Sequence, residues 1–229
     1  IGNLSDMTYR AVETLKSVDF VVAEDTRHSR ILFDRYEIKT QMLSFHARSS
    51  ERKAEEIIDR IAKGETAAYI SDAGTPCISD PGFKLTNLAA RHNPNKSLPS
   101  GRSGGGITII PIPGPSAVTT LLSGSGFPSD KFTFLGFLPH KKGRQTILKS
   151  LVEIDHSVLF YESVHRFPKL LKELSEFVDP NRTICVGREL TKMHEEIYRG
   201  TVAQAQDHFT VENTRGEFVV MVAPSNFKI

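Results

Sequence analysis

Three short apolar runs, each ending in a polar segment rich in glycine, proline or charge, constrain this chain more than any other feature. They are Phe20-Val21-Val22-Ala23, Ala67-Ala68-Tyr69-Ile70 and Ile107 to Ile110. They lead into Glu24-Asp25, into Ser71-Asp72-Ala73-Gly74-Thr75-Pro76 and into Pro111-Ile112-Pro113-Gly114-Pro115-Ser116. Helical patterns separate them. Residues 8–17 carry Tyr9, Val12 and Leu15 at helical spacing, and 51–63 carries Ala54, Ile57, Ile58 and Ile61 on one face. Gly64 stops the second helix, and further helices are expected at 82–91 and 116–123. Strand, loop and helix alternating in this way fold as α/β with a mostly parallel sheet. Ligands of such sheets bind beyond the carboxyl ends of the strands, where all three polar segments fall.

The second half is patterned differently. Strands are expected at Phe132 to Phe137, Ser157 to Tyr161, 183–188, Glu195 to Arg199 and Glu217 to Ala223, with helices only near 144–153 and 166–177. Strands this close together imply a mixed or antiparallel sheet. The boundary is expected near Gly124 to Asp130, giving an N-terminal α/β domain over 1–124 and a C-terminal α/β domain over 125–229.

Bulk composition excludes several classes. Of 229 residues, 39% are hydrophobic and 24% charged, which supplies a core and argues against wholesale disorder. The net charge of +2 is too small for a protein that grips nucleic acid by charge alone, so any such partner must meet a local basic face. No apolar run approaches transmembrane length, and no signal peptide is visible. Cys77 and Cys185 read as two ordinary thiols of a cytoplasmic protein. No histidine or acid set has metal-ligand spacing, so no metal is expected. The chain begins at Ile1 rather than Met, as if an N-terminal segment were missing. Residues 93–106, rich in Gly, Ser and Pro, read as a flexible surface insertion.

Five segments bear chemistry. Glu24-Asp25-Thr26-Arg27-His28-Ser29-Arg30 suits a polar substrate, or is a solvated turn with local ion pairs. Ser71 to Gly82 lets backbone approach a ligand, or is turn chemistry with a helix cap; it is neither a Walker loop nor a dinucleotide fingerprint. Ser116 stands where an N-cap is expected, on a helix whose first amides suit a carboxylate. Tyr161 to Arg166 and Arg188 to Glu196 mix acids, bases and hydroxyls at strand ends, with His165 and His194 read as structural. His140-Lys141-Lys142-Gly143-Arg144, with Lys149, is the clearest basic cluster and suits phosphate.

In order along the chain, Ile1-Gly2-Asn3-Leu4-Ser5-Asp6, Ala23 to Arg27, Ser71 to Gly82, Pro113 to Ala117, Gly136-Phe137-Leu138-Pro139, Phe160 to Arg166 and Arg188 to Lys192 resemble the 16S rRNA cytidine-2′-O-methyltransferases, the ribosomal RNA small subunit methyltransferase I family of the tetrapyrrole methylase superfamily. The resemblance covers nearly the whole chain. It implies two α/β domains with the cofactor in the interdomain cleft, a homodimer, and S-adenosylmethionine as methyl donor. It also implies a decoding-region cytidine as target, in 16S rRNA or the small ribosomal subunit. Carried over by position, Gly2, Asn3, Asp6, Asp72, Gly74, Thr75, Ile78, Ser116 and Ala117 would contact the cofactor from the N-terminal domain, and Tyr161 and Leu190 from the C-terminal one. Three departures stand out: the strand expected before Ile1 is absent, the 93–106 insertion is long, and a small C-terminal extension is missing after Ile229.

Methyl transfer to a 2′-hydroxyl is an in-line displacement that rests on positioning and on an acceptor for the hydroxyl proton. Glu24, Asp25, Glu162 and Glu189 are the candidate acceptors. Lys192 joins them only if its pKa is lowered. Arg27, Arg166 and Arg188 suit phosphate or the cytosine edge, and Lys141, Lys142 and Arg144 suit RNA phosphate. Two rival readings remain. One is a methyltransferase acting on a tetrapyrrole, whose usual Gly-Gly-Asp-Pro is replaced here by Ala73-Gly74-Thr75-Pro76. The other is a non-catalytic RNA-binding assembly factor.

Overall fold

The computed structural model describes residues 1–92, 106–210 and 215–227. The chain divides into two compact units, Asn3–Pro115 and Ser116–Ile229, with Ile1–Gly2 joined to the second.

The first unit is built on a parallel three-stranded sheet. Strands β1 (Phe20–Ala23), β2 (Gln41–Ser44) and β3 (Ala67–Ile70) lie in the order β2-β1-β3. Ala23 pairs in register with both Ser44 and Ile70, so all three strands end at one level. All of β1 is buried, and its side chains alternate between two cores, as a pleat requires. Phe20 and Val22 pack with Phe45, Ala54, Ile57 and Leu85. Val21 packs with Leu15, Phe33 and Ile38 on the opposite face. The helices are α1 (Tyr9–Ser17), α2 (Thr26–Tyr36), α3 (Glu51–Ala62) and α4 (Gly82–Arg91). Thr8 and Ser50 cap α1 and α3 through their side chains, accepting from Ala11 N and Lys53 N.

Two features of this unit depart from the sequence expectation. Helix α2 and strand β2 carry no apolar run strong enough to declare them, yet both form. The run at Ile107–Ile110 joins no sheet. Ile110 is 71% exposed there, and 106–116 has no regular structure. Prolines at 111, 113 and 115 leave the segment without the donors a ladder needs.

The second unit holds β4 (Phe132–Phe137), β5 (Ser157–Glu162), β6 (Thr183–Arg188), β7 (Glu196–Thr201) and β8 (Phe218–Val222). Their order is β4-β5-β8-β6-β7; β4 and β5 are parallel and the other pairs antiparallel. This is the mixed sheet the close strand spacing implied. One face, through Phe160, Ile184, Val186, Val220 and Val222, packs on α6 (Arg144–Ser150), α7 (Phe167–Phe177) and α8 (Val202–His208). The other, through Leu159, Cys185, Val219 and Met221, packs on α5 (Ala117–Ser125). Each buried Leu, Ile or Phe contributes roughly 1.5–3 kcal/mol. Helix α5 contacts β6, β7 and β8, so the expected division after residue 124 falls inside a helix that packs with the second unit. Helix α8 was not legible from apolar spacing; a capping box between Thr201 and Gln204 starts it.

Candidate active site

In the first unit the acids gather where the three strands end. Asp25 N donates to Asp72 Oδ1 at 2.9 Å, tying the end of β1 to the loop after β3. The Asp25 carboxylate turns the other way and caps α2, accepting from Arg27 N at 2.8 Å and from the Arg27 guanidinium at 2.9 and 3.2 Å. The Arg27 side chain and amide hold the Asp25 carboxyl down at about 2. Glu24 behaves oppositely. Burial, then the nearby Asp72 charge, holds its carboxyl above the ordinary value, although the Asp72 amide hydrogen bond works against them.

The loop after β3 is strained and braced. Cys77 and Ser79 have φ of 70° and 68°, in the left-handed region that side chains avoid. Ser71 Oγ donates to the carbonyls of Ala73 and Gly74, and Thr75 Oγ1 donates to Pro115 O at 3.1 Å. Asp80 Oδ1 accepts from Tyr69 OH at 3.1 Å and from Gly82 N at 2.7 Å. A Cβ on Gly82 would stand 2.3 Å from the Tyr69 ring, so only glycine lets α4 start this close to β3. Glu24, Ala47, Cys77, Ser79, Asp80, Pro81, Phe83 and Lys84 line a cavity of about 410 Å³. Ile78 is 45% exposed. Asn3 and Asp6 lie in a short 3-10 turn in which Asn3 Oδ1 accepts from Ser5 N.

The second unit presents two clusters of different character. Glu162, at the end of β5, is buried between two arginines. Arg144 NH1 lies 3.1 Å from Oε2 and Arg166 NH2 lies 2.6 Å from Oε1. Arg144 Nε continues to Glu173 at 2.7 Å, and Arg166 NH1 donates to Leu138 O. Arg144 is 3% exposed and Glu162 1%, so neither faces solvent as a phosphate anchor or an RNA-facing acid would. Of the expected basic cluster, Lys141 and Lys142 are exposed and Arg144 is withdrawn. The apolar stem of its short helix carries it inward, with Leu148 buried one turn on.

The second cluster follows β6. Glu189 and Thr191 have φ of 49° and 69°. Lys192 Nζ donates to Glu189 Oε1 at 2.9 Å and to Glu217 Oε2 at 2.8 Å. Burial works to lower the Lys192 ammonium, but the hydrogen bonds from Glu217 and Glu189 outweigh it and hold the group above its ordinary value. The condition for Lys192 to act as a base is therefore not met. Burial also works to raise the Glu189 carboxyl, and the Glu217 amide and Lys192 overcome it and hold it down. Gly2, with φ 110°, passes against the Lys192 stem. Arg188 Nε pairs with Glu196 Oε2 at 3.0 Å. Tyr161 packs its ring against Phe134 and Phe137, with centroids 4.9 and 5.3 Å away. Leu190 is buried in the core under α5. Ser116 occupies the N-cap position of α5, but its side chain makes no capping bond and leaves the first amides of the helix uncapped by side chains. Among the described residues there is no group of three or more histidine, cysteine or acidic side chains able to hold a metal ion. None of their helices is long and apolar enough to cross a membrane.

Residues 1–206 match the family described as Tetrapyrrole (Corrin/Porphyrin) Methylases. This chain belongs to the tetrapyrrole methylase family. As a member it is a methyltransferase, and both sheets fit the tetrapyrrole methylase fold. It is 40% identical to the ribosomal RNA small subunit methyltransferase I of Thermotoga maritima, over 97% of this chain and 94% of that protein. It is 42% identical to the protein of the same name from Mesorhizobium japonicum, over 100% of this chain and 74% of that one. Among solved structures, diphthine synthase matches with a TM-score of 0.69 at 13% identity, covering 96% of this chain and 86% of that one. Cobalt precorrin-4 methyltransferase matches with a TM-score of 0.67 at 17% identity, covering 96% and 90%. At those identities the two structures speak for the tetrapyrrole methylase fold alone.

Proposed function

We propose that this methyltransferase transfers a methyl group from S-adenosylmethionine to the ribose 2′-hydroxyl of a cytidine in 16S rRNA, acting in the cytoplasm as a homodimer on the RNA or the small subunit. The observation that carries the reading is 40% identity along 97% of the chain to a protein named for small-subunit rRNA methylation. When bound, S-adenosylmethionine supplies a sulfonium methyl open to in-line displacement.

The residues fit such a donor. The first amides of α5, after Ser116 and Ala117, lack a side-chain cap and suit its carboxylate. Gly2, Asn3, Asp6, Asp72, Gly74, Thr75, Ile78, Tyr161 and Leu190 are the proposed further contacts. Thr75 spends its hydroxyl on Pro115 O, so it acts by fixing the loop. Leu190 has its side chain in the core, leaving its backbone to make any contact.

Glu24 is the best-placed proton acceptor in the first unit. It is only partly buried, and its raised carboxyl is more basic than that of Asp25, which is committed to capping α2. In the second unit Glu189 keeps its Lys192 and Glu217 partners and acts by charge. Glu162 acts by holding Arg144 and Arg166, which removes those arginines from direct RNA contact. Arg27, whose side chain is 90% exposed, and Lys141, Lys142 and Arg188 are the proposed phosphate contacts.

Tritiated S-adenosylmethionine, purified small subunits from cells lacking the activity, and mapping of ribose methylation test this directly. Label on a cytidine 2′-hydroxyl is the expected result. Absence of label on subunits and on free rRNA, with donor binding intact, would overturn it and direct attention to small-molecule acceptors.

A further inference from the structure

The cavity in the first unit is not explained by donor binding or by fold. Its wall combines three kinds of group. Phe83 is 56% exposed, an unusual state for a large aromatic ring at the start of a helix. Pro81 adds a second apolar surface, and Lys84 holds its ammonium at the rim with a hydrogen bond to Ala47 O at 3.2 Å. Asp80 is the polar centre. Its Oδ1 is saturated by Tyr69 OH and Gly82 N, while Oδ2 is buried and has no hydrogen-bond partner among the described residues. Native structures rarely leave such an acceptor unpaired, and a ligand donor is one way to complete it. Glu24, at the end of β1, forms part of the same wall.

A volume of about 410 Å³ is within the range of small-molecule sites and has room for one nucleoside. An aromatic face beside a carboxylate is how proteins read an unstacked base: the ring supplies stacking and the acid accepts from an exocyclic amine. We propose that this cavity is a subsite for the target base, in which cytosine lies against Phe83 and Pro81 and gives its exocyclic amine to Asp80, with Lys84 turned toward an adjoining phosphate. Uracil carries a carbonyl oxygen where cytosine carries that amine, so it would meet the carboxylate oxygen with like charge and be rejected. A base seated here brings its own ribose to the side of the cavity that Glu24 forms. The identification of the base rests on the rRNA reading above; the preference for an amine-bearing ring rests on the cavity alone.

The test is calorimetric titration of the whole protein with cytidine and with uridine, for wild type, Phe83→Ala and Asp80→Asn, alongside the KM for small subunits. Wild type is expected to bind cytidine more tightly than uridine. Phe83→Ala, a change at an exposed ring that leaves the core intact, should weaken cytidine about tenfold, the usual effect of removing one stacking side chain. Asp80→Asn keeps an acceptor for Tyr69 and Gly82 but turns an amide donor toward the base, and should reverse the preference in favour of uridine. A structural role for Asp80 would lower both affinities and reverse nothing. If wild type binds neither nucleoside, or Phe83→Ala and Asp80→Asn bind both as wild type does, the subsite is overturned even where rRNA is methylated. If both variants behave as expected but no rRNA is methylated, the subsite stands and the rRNA reading falls.

Discussion

Gly2 runs so close to Lys192 that a Cβ at position 2 would stand 2.5 Å from Cε. The lysine cannot easily yield, because its ammonium is fixed between Glu189 and Glu217. The first residues of the chain are thereby seated on the loop after β6, where Thr191 Oγ1 also donates to Ile1 O. Gly2→Ala should lose about 1–3 kcal/mol in urea denaturation, from left-handed backbone strain and the clash together. A variant as stable as wild type would show that this seat is not rigid.

Glu162→Ala should be a stability mutant. Removing the acid strands two guanidiniums, one of them 3% exposed, and breaking a buried pair typically costs about 3–5 kcal/mol. Chemical denaturation gives the loss, and turnover per folded molecule should fall far less than turnover per total protein. A folded, stable Glu162→Ala enzyme with no activity would return this residue to the reacting groups.

Asp25 predicts a specific acid sensitivity. Its carboxyl lies at about 2 when folded against 3.8 ordinarily. A depressed carboxyl stabilises the fold above its unfolded value, and that contribution disappears as pH falls from about 4 to about 2. Asp25→Asn should therefore be less stable than wild type at neutral pH, with the two denaturation curves converging near pH 2.

Glu24 predicts the reverse. Its carboxyl is raised, so the ionised form present at neutral pH works against folding, and that penalty vanishes on acidification. Glu24→Gln should raise Tm at pH 7 while cutting methyl transfer by the roughly 10²–10⁴-fold expected for a lost proton acceptor. Unchanged turnover would remove Glu24 from the reaction.

Lys192, held protonated by its two acids, should give no basic limb to the pH–rate profile near neutrality. Lys192→Arg should accordingly keep most activity, and its profile should superimpose on that of wild type.

The parts of the fold that were legible are those whose burial is one-sided and local. Helix α3 declares itself through Ile57 and Ile58, and β1 through four consecutive buried apolar residues. Strand β2, with Gln41 exposed and its neighbours half-buried, has no such pattern and forms because β1 offers it a ladder. Helix α2 begins on a charged run, where Asp25 capping rather than apolar spacing sets the start. The Ile107–Ile110 run shows the opposite failure, since apolar residues without a pairing partner make no strand. At the candidate site, motif order located the loops but not the sense of each side chain. Glu162 and Arg144 look alike in sequence to exposed charges, and only the packing under β5 shows that they neutralise each other. The cavity wall at Phe83 and Lys84 had no motif to mark it, because it joins a helix start to a strand end far apart in the chain. The insertion read at 93–106 lies outside the described residues except for Gly106.

Strand β8 sits between β5 and β6 and supplies the interior edge of both, with Met221 facing Leu159 on one side and Cys185 on the other. During synthesis neither β5 nor β6 has that neighbour until residues 218–222 have left the ribosome. The second unit must then wait with two apolar strand edges open, a period in which chaperone capture or mispairing competes with folding. The first unit has its three strands complete by Ile70 and faces no such delay. Substitutions that weaken β8 should therefore reduce the yield of folded protein in cells more than they reduce the stability of the molecules that do fold.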